Sequence, residues 1–179
     1  MGTYIALLRG INVGGKNKIL MAELRDLLLN MGLKDVQTYI QSGNIIFNSE
    51  EGNASELEFQ IMEAIKKRFE LSVPVLVITS DALNTIFNTC PFSEEKKQKS
   101  YFSLLYTAPE IDLVNEVLSM KFENEEINIL ANCVYFYSSI GYGKTKYNNN
   151  FFERKLKITA TARNYKTMAK LLELSENAS

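Results

Sequence analysis

The sequence predicts an α+β fold: two similar halves in tandem, closed by a C-terminal helix. Two observations carry this. Apolar spacing switches between strand and helix periods in the order strand, helix, strand, strand, helix, strand. The order then begins again at Tyr101-Phe102-Ser103-Leu104-Leu105, which echoes Tyr4-Ile5-Ala6-Leu7-Leu8. Length and composition agree, since 179 residues with 46% hydrophobic and 23% charged side chains suit one large globular domain or two small ones.

Tyr4 to Leu8 reads as a strand. Leu20, Leu24, Leu27, Leu28 and Met31 follow at helical spacing, and Gly32 supplies a stop. Val36 to Ile40 and Ile45 to Phe47 read as strands joined by a Gln41-Ser42-Gly43-Asn44 hairpin. Asn53 with Glu56 resembles a capping box ahead of Leu57, Ile61, Ala64 and Ile65. Val75 to Thr79 is β-branched, and Pro74 before it suits an edge strand. This order is a split βαβ, ferredoxin-like α/β plait.

Ser80 to Asn88 predicts a short helix, and Cys90 to Ser100, with its Glu94-Glu95-Lys96-Lys97 run, an exposed connection. In the second half, Pro109 opens a helix bearing Ile111, Val114 and Leu118. Glu126 to Leu130 and Val134 to Tyr137 are strands, and Asn150 with Glu153 repeats the capping pattern before Phe152 and Leu156. Lys157 to Ala160 is a last short strand, and Thr161 to Asn164 leads into a helix carrying Met168, Leu171 and Leu172. The expected boundaries are 1–80 for the first ferredoxin-like subdomain, 81–99 for the connection, and 100–179 for the second subdomain with its C-terminal helix.

Composition excludes several chemistries. There is no histidine, which removes the usual general base, the Ser/His and Cys/His nucleophile pairs and the commonest metal ligand. Cys90 and Cys133 lack metal-ligand spacing and read as reduced thiols, so no metal and no cofactor is expected. A net charge of −1 argues against nucleic acid as partner. With neither a signal-like start nor a membrane-length apolar run, a cytoplasmic protein is expected. An RNA-binding plait needs exposed aromatics on the central strands, and the first half offers only Tyr4 and Phe47.

Chemistry concentrates in loops. Arg9 to Lys18 packs three glycines, two asparagines, one arginine and two lysines into ten residues between a strand and a helix. Gly14 and Gly15 would let a phosphate or carboxylate approach the backbone, with Arg9 as a bidentate donor and Lys16 as a point charge. The same glycines equally serve a tight turn. Gly10, Gly14 and Gly15 do not fit a dinucleotide fingerprint, and Gly143-Lys144-Thr145 lacks the upstream glycine of a P-loop, Ser138 standing there instead. In a split βαβ unit the loop after the first strand and the hairpin share an end. Arg9 to Lys18 therefore belongs beside Gln41 to Asn44, and Gly141 to Lys146 beside Thr161 to Asn164. Asn12 and Asn44 would orient a ligand, while Lys144 and Arg163 would add charge, Arg163 at a helix start that favours anions. Tyr142 and Tyr147 flank the second loop as potential stacking surfaces. The acidic run Glu123 to Glu126 reads as a solvated turn.

The motifs Arg9-Gly10-Ile11-Asn12-Val13-Gly14-Gly15-Lys16-Asn17, Met21-Ala22-Glu23-Leu24, Tyr39 to Asn44 and Thr161 to Thr167 resemble the bacterial domain of unknown function numbered 1697. The resemblance implies a pair of ferredoxin-like subdomains and brings no activity with it. Tyr165 departs from the tryptophan common in that family's last motif, which implies a smaller contact if that aromatic meets a ligand. The expected function is binding of a small anionic, phosphorylated ligand through Arg9, Asn12, Gly14, Gly15, Lys16, Asn44, Lys144 and Arg163. The alternatives are an enzyme acting on a phosphorylated substrate without histidine, and a nucleic-acid or protein-interaction module. No motif encodes the ligand's identity, a catalytic residue or the oligomeric state.

Overall fold

The computed structural model describes residues 1–178. It contains two four-stranded antiparallel sheets, each within its own compact unit. The first unit holds β1 (Gly2–Leu8), α1 (Met21–Asn30), β2 (Lys34–Tyr39), β3 (Asn44–Ser49), α2 (Ala54–Phe69) and β4 (Val75–Thr79). Its strand order, β2-β3-β1-β4, is that of a ferredoxin-like plait. Tyr4, Ala6 and Leu8 of β1 and Ile45 and Phe47 of β3 bury one sheet face against Leu24 and Leu28 of α1 and Leu57, Ile61 and Ile65 of α2. Tyr4 and Phe47 stack on each other in this core, 5% and 0% exposed, so they offer no platform for a base.

After α3 (Ser80–Asn88) and the one-turn α4 (Glu94–Lys97), the pattern repeats. The repeat comprises β5 (Tyr101–Leu105), α5 (Ile111–Ser119), β6 (Glu125–Leu130), β7 (Cys133–Ser138), α6 (Asn149–Leu156) and β8 (Ala160–Asn164). The order β6-β7-β5-β8 matches the first sheet position for position. Val134 and Phe136 pack with Val114 and Val117 of α5 and Phe152 and Leu156 of α6.

Three expectations move. The helix-capping residue of α6 is Asn148, whose side chain accepts from Phe151 N–H at 3.0 Å, and not Asn150. Lys157 is the left-handed residue that ends α6 (φ 56°), so the last strand starts at Ala160 and contains Thr161 to Asn164. Its pairing with β5 decides this, because Arg163 lies opposite Phe102 and Asn164 opposite Tyr101. The unit boundaries also differ from 1–80, 81–99 and 100–179. Residues 1–85 and Lys170 onward form the first unit, and Ile86–Ala169 the second. Phe87 stacks on Phe102 and Tyr135 Oη donates to Ile86 O at 2.8 Å, which ties the expected connection to the second sheet. The end of α7 (Tyr165–Asn177) joins the first unit through Ser80–Ser175 (2.7 Å) and Asn48 Nδ2 to Ala178 O (2.7 Å). No described helix is long and apolar enough to cross a membrane.

Candidate functional site

Ile11 and Ile19, both buried, plug the two ends of the β1–α1 loop into the core and leave residues 12–18 standing out from the sheet end. These form a miniature hairpin. Asn12 N–H donates to Asn17 O (3.2 Å), and Lys16 N–H to Val13 O (3.0 Å). Gly14 and Gly15 are the central residues of the tip, with φ of 57° and 76°. Gly10, Asn12 and Asn17 are also left-handed. Every glycine and asparagine of the stretch thus occupies a backbone region that other residues enter at a cost of roughly 1–2 kcal/mol. The motif's glycine and asparagine content is explained by the turn it makes.

The Asn12 side chain is a three-way brace. Its Nδ2 donates to Ile19 O (2.9 Å) and Gln41 O (2.8 Å), and its Oδ1 accepts from Ile19 N–H (2.9 Å). This bond to Gln41 brings the loop and the β2–β3 hairpin to one end of the sheet. Asn44 is fully buried and donates to Tyr39 O (3.1 Å) and Ser42 Oγ (3.0 Å), closing the hairpin from within. Between them, Gly43 O accepts from Leu8 N–H at 2.9 Å. Gly43 has φ 74°, and a Cβ there would sit 2.6 Å from Leu8 Cβ, so only glycine fits. Ile40 is left-handed too (φ 50°), an unusual state for a β-branched residue.

An open groove of about 390 Å³ lies at this end, lined by Asn12, Gly15, Lys18, Leu20, Glu23 and Gln41. It meets the start of α1, where Leu20 occupies the capping position and supplies no side-chain acceptor. The start of α1 adjoins the groove and its first amides have no side-chain cap. Lys16 and Lys18 are exposed. Arg9 is half-buried, and its N–H donates to Pro74 O at 2.9 Å. Glu23 adds a carboxylate to the same groove, 3.9 Å from the Arg68 guanidinium. Lys18 and Gln41 lie inside the predicted loop and hairpin but not among the eight candidate ligand residues, and the groove adds them.

In the second unit the basic loop after β7 makes a single 3₁₀ turn, Tyr142–Lys144, and an anion is already present. Glu125, at the start of β6, accepts from Thr145 Oγ1 (2.6 Å), Lys146 N–H (2.8 Å) and Tyr147 N–H (2.9 Å). Burial acts to raise the Glu125 pKa, but these donors and the Lys146 charge outweigh it and hold the carboxyl below its usual range. Of the acidic run, Glu123 and Asn124 do form an exposed turn, whereas Glu125 opens β6 and anchors the loop and Glu126 pairs with Lys96. Nothing in the local sequence links Glu125 to residues twenty positions on.

Lys144 is exposed on that loop. Arg163 is a strand residue, 8% exposed, whose guanidinium donates to Thr161 Oγ1 (2.7 Å) and Ala162 O (2.9 Å). Asn164 caps α7 by accepting from Thr167 N–H at 2.9 Å. Tyr147 is buried and donates to Met120 O, Tyr142 stacks on Tyr101 at 4.3 Å, and Tyr165 packs against Phe87 at 5.3 Å. Of the eight predicted ligand residues, Arg9, Asn12, Gly14, Gly15, Lys16 and Asn44 share the first unit, while Lys144 and Arg163 belong to the second. Among the described residues no cluster of three metal-binding side chains occurs.

The family model for proteins of unknown function, DUF1697, matches residues 1–135, with the terminal Thr161–Thr167 motif lying beyond that stretch. No curated protein matches the chain. Among solved structures, the conserved bacterial protein SP0830 from Streptococcus pneumoniae is similar, with 29% identity and a TM-score of 0.73. That match covers 97% of this chain and 98% of the other.

Proposed function

This chain belongs to the DUF1697 family of proteins of unknown function, and from that premise we propose that it binds a small anionic, phosphorylated ligand at the loop end of its first unit. One observation carries the reading: the uncapped start of α1 opens on a groove that also holds Lys18. Amides at a helix start point at an anion and carry the positive end of the helix dipole. Lys16 and Arg9 add charge on the same loop, and Asn12 and Asn44 hold the loop and hairpin in the shape that forms the groove. Gly14 and Gly15 serve by making the turn, and Lys144 and Arg163 are left outside this site. Two free cysteines suit a reducing compartment, and a cytoplasmic location belongs to this reading.

A thermal-shift screen with inorganic phosphate, sulfate, nucleotides and sugar phosphates tests it. A ligand at a hundred times its dissociation constant stabilises the folded state by roughly 2.7 kcal/mol. The expected result is a shift with one phosphorylated class, abolished in Lys18→Glu. Indifference of the wild-type protein to every anion refutes it. Val13, Leu20 and Ile40, exposed by 64%, 67% and 51%, favour a second reading in which these loops dock a macromolecule. Partner binding without any anion shift would select that one.

A further inference from the structure

We propose that β6 takes up an extended, acidic segment of another polypeptide as an added strand. No residue of the first unit takes part, so the inference stands apart from the anion site. It begins from the sheet edges. An unprotected edge strand invites pairing, and proteins block edges with bulges, charges or cover. Three of the four edges here are each interrupted at one position. β2 breaks register between Lys34 and Gln37, with Asp35 at φ 52°. On β4, Val77 N–H is capped by Glu58 of α2 at 2.9 Å. On β8, Ala160 N–H is capped by Glu153 of α6 at 3.0 Å.

The remaining edge, β6, stays in unbroken register with β7 over six residues, from Glu125 opposite Ser138 to Leu130 opposite Cys133. The two-residue turn at Ala131 and Asn132 makes Leu130 and Cys133 a mutually bonded pair. The bond from Leu105 N–H to Asn132 O (2.8 Å) on the far side of β7 fixes the same phase. Alternation then turns the main-chain groups of Ile127 and Ile129 away from β7. Among the described residues none donates to them or accepts from them.

A depression of about 510 Å³ lies against the first four residues of this edge, Glu125 to Asn128. Phe92, seated against Tyr137, lines it from one sheet face, and Leu118 and Met120 line it from the other. A recessed edge admits a single extended strand, about 4.8 Å across the hydrogen-bonding direction. A second copy of β6, recessed between the same side chains, would not reach it. Charge selects the segment. Glu126 is paired with Lys96 and Glu125 with its three loop donors, which leaves the Lys121 ammonium without a partner among the described residues. An incoming carboxylate complements it. This is recognition by strand addition, with main-chain bonds for affinity and alternate side chains for selection.

The probes are two synthetic peptides, each about ten residues of alternating valine and threonine, one carrying glutamates and the other lysines. Amide NMR of the full chain reads binding. The glutamate peptide should shift Ile127 and Ile129 and slow their exchange. Ile127→Pro removes an outward N–H without removing a bond to β7, and Lys121→Glu reverses the charge. Each should weaken the glutamate peptide about tenfold, and Lys121→Glu should turn preference to the lysine peptide. Far-UV circular dichroism checks folding, and if Ile127→Pro does not fold, the exposed Lys121→Glu decides. The inference is overturned if neither peptide moves the two amides, if Lys121→Glu leaves binding unchanged, or if those amides respond only to protein concentration, which would assign the edge to a second copy.

Discussion

In the second unit the Glu125 carboxylate holds the basic loop through three donors, and removing it measures what that anchor contributes. Glu125→Ala withdraws the acceptor from Thr145 Oγ1, Lys146 N–H and Tyr147 N–H. Bonds to an ionised acceptor contribute roughly 1.5–3 kcal/mol each when a buried partner is stranded, and less where water takes over. Tyr147 is buried and Lys146 exposed, so one bond near the lower end and two smaller ones give about 2–3 kcal/mol in total. For a chain of this size that lowers Tm by about 5–10 °C. The pH dependence has a definite sign. The folded-state pKa of Glu125 lies below its ordinary value, so its stabilisation is complete above the unfolded carboxylate range and lost as pH falls through the folded pKa. The gap between wild type and variant, read by urea titration, should be constant between about pH 6 and 8 and narrow below about pH 4. Sulfate should stabilise Glu125→Ala by filling the vacated donors, and wild type much less. A gap under about 0.5 kcal/mol, below what charged hydrogen bonds contribute, or a gap unchanged down to pH 3, would refute the reasoning.

Two further outcomes follow from geometry. Gly43→Ala should cost about 3–4 kcal/mol, from the left-handed backbone and the contact with Leu8, whereas Gly14→Ala, with open space around it, should cost about 1–2 kcal/mol; equal losses on denaturant titration would contradict this. Burial pushes the Cys133 thiol far above its usual pKa, against an opposing hydrogen bond with Tyr135, and raises that of Cys90 less. Iodoacetamide at pH 8 should therefore label Cys90 slowly and Cys133 only after unfolding, read by mass spectrometry; labelling of both at one rate in the folded protein would show the burial to be wrong.

The elements were legible where the signal was periodic. Leu24 and Leu28, or Leu57, Ile61 and Ile65, mark a helix face with no knowledge of what they pack against. The Asn53–Glu56 pattern marks a true cap, since Asn53 accepts from Ser55 and Glu56 N–H. At α6 three asparagines stand in a row, and only the path of the chain selects Asn148 over Asn150 as the cap. A last strand is legible near Ala160, but Thr161-Ala162-Arg163 carries a weak strand pattern, so its extent from Ala160 to Asn164 is set only by its pairing with β5. At the site, Arg9 to Lys18 and Gln41 to Asn44 were placed at one end by topology, and the Asn12–Gln41 bond joins them there. What could not be read was the occupation of each polar group. Asn12 and Asn44 look like ligand contacts in sequence, yet their amides are bonded within the fold.

The sequence by itself determined the local requirements of this protein: the repeated order of strands and helices, and the glycines and asparagines where the backbone turns left-handed. These follow from sterics and periodicity within a few residues, so a one-dimensional pattern carries them. The tertiary structure alone decided that Glu125 closes a basic loop, that Arg163 is buried in a strand, and that β6 is left open while three other edges are capped or bulged. Hydrogen bonds and charges are satisfied by whichever groups the fold brings together, often far apart in sequence, and that meeting exists only in three dimensions.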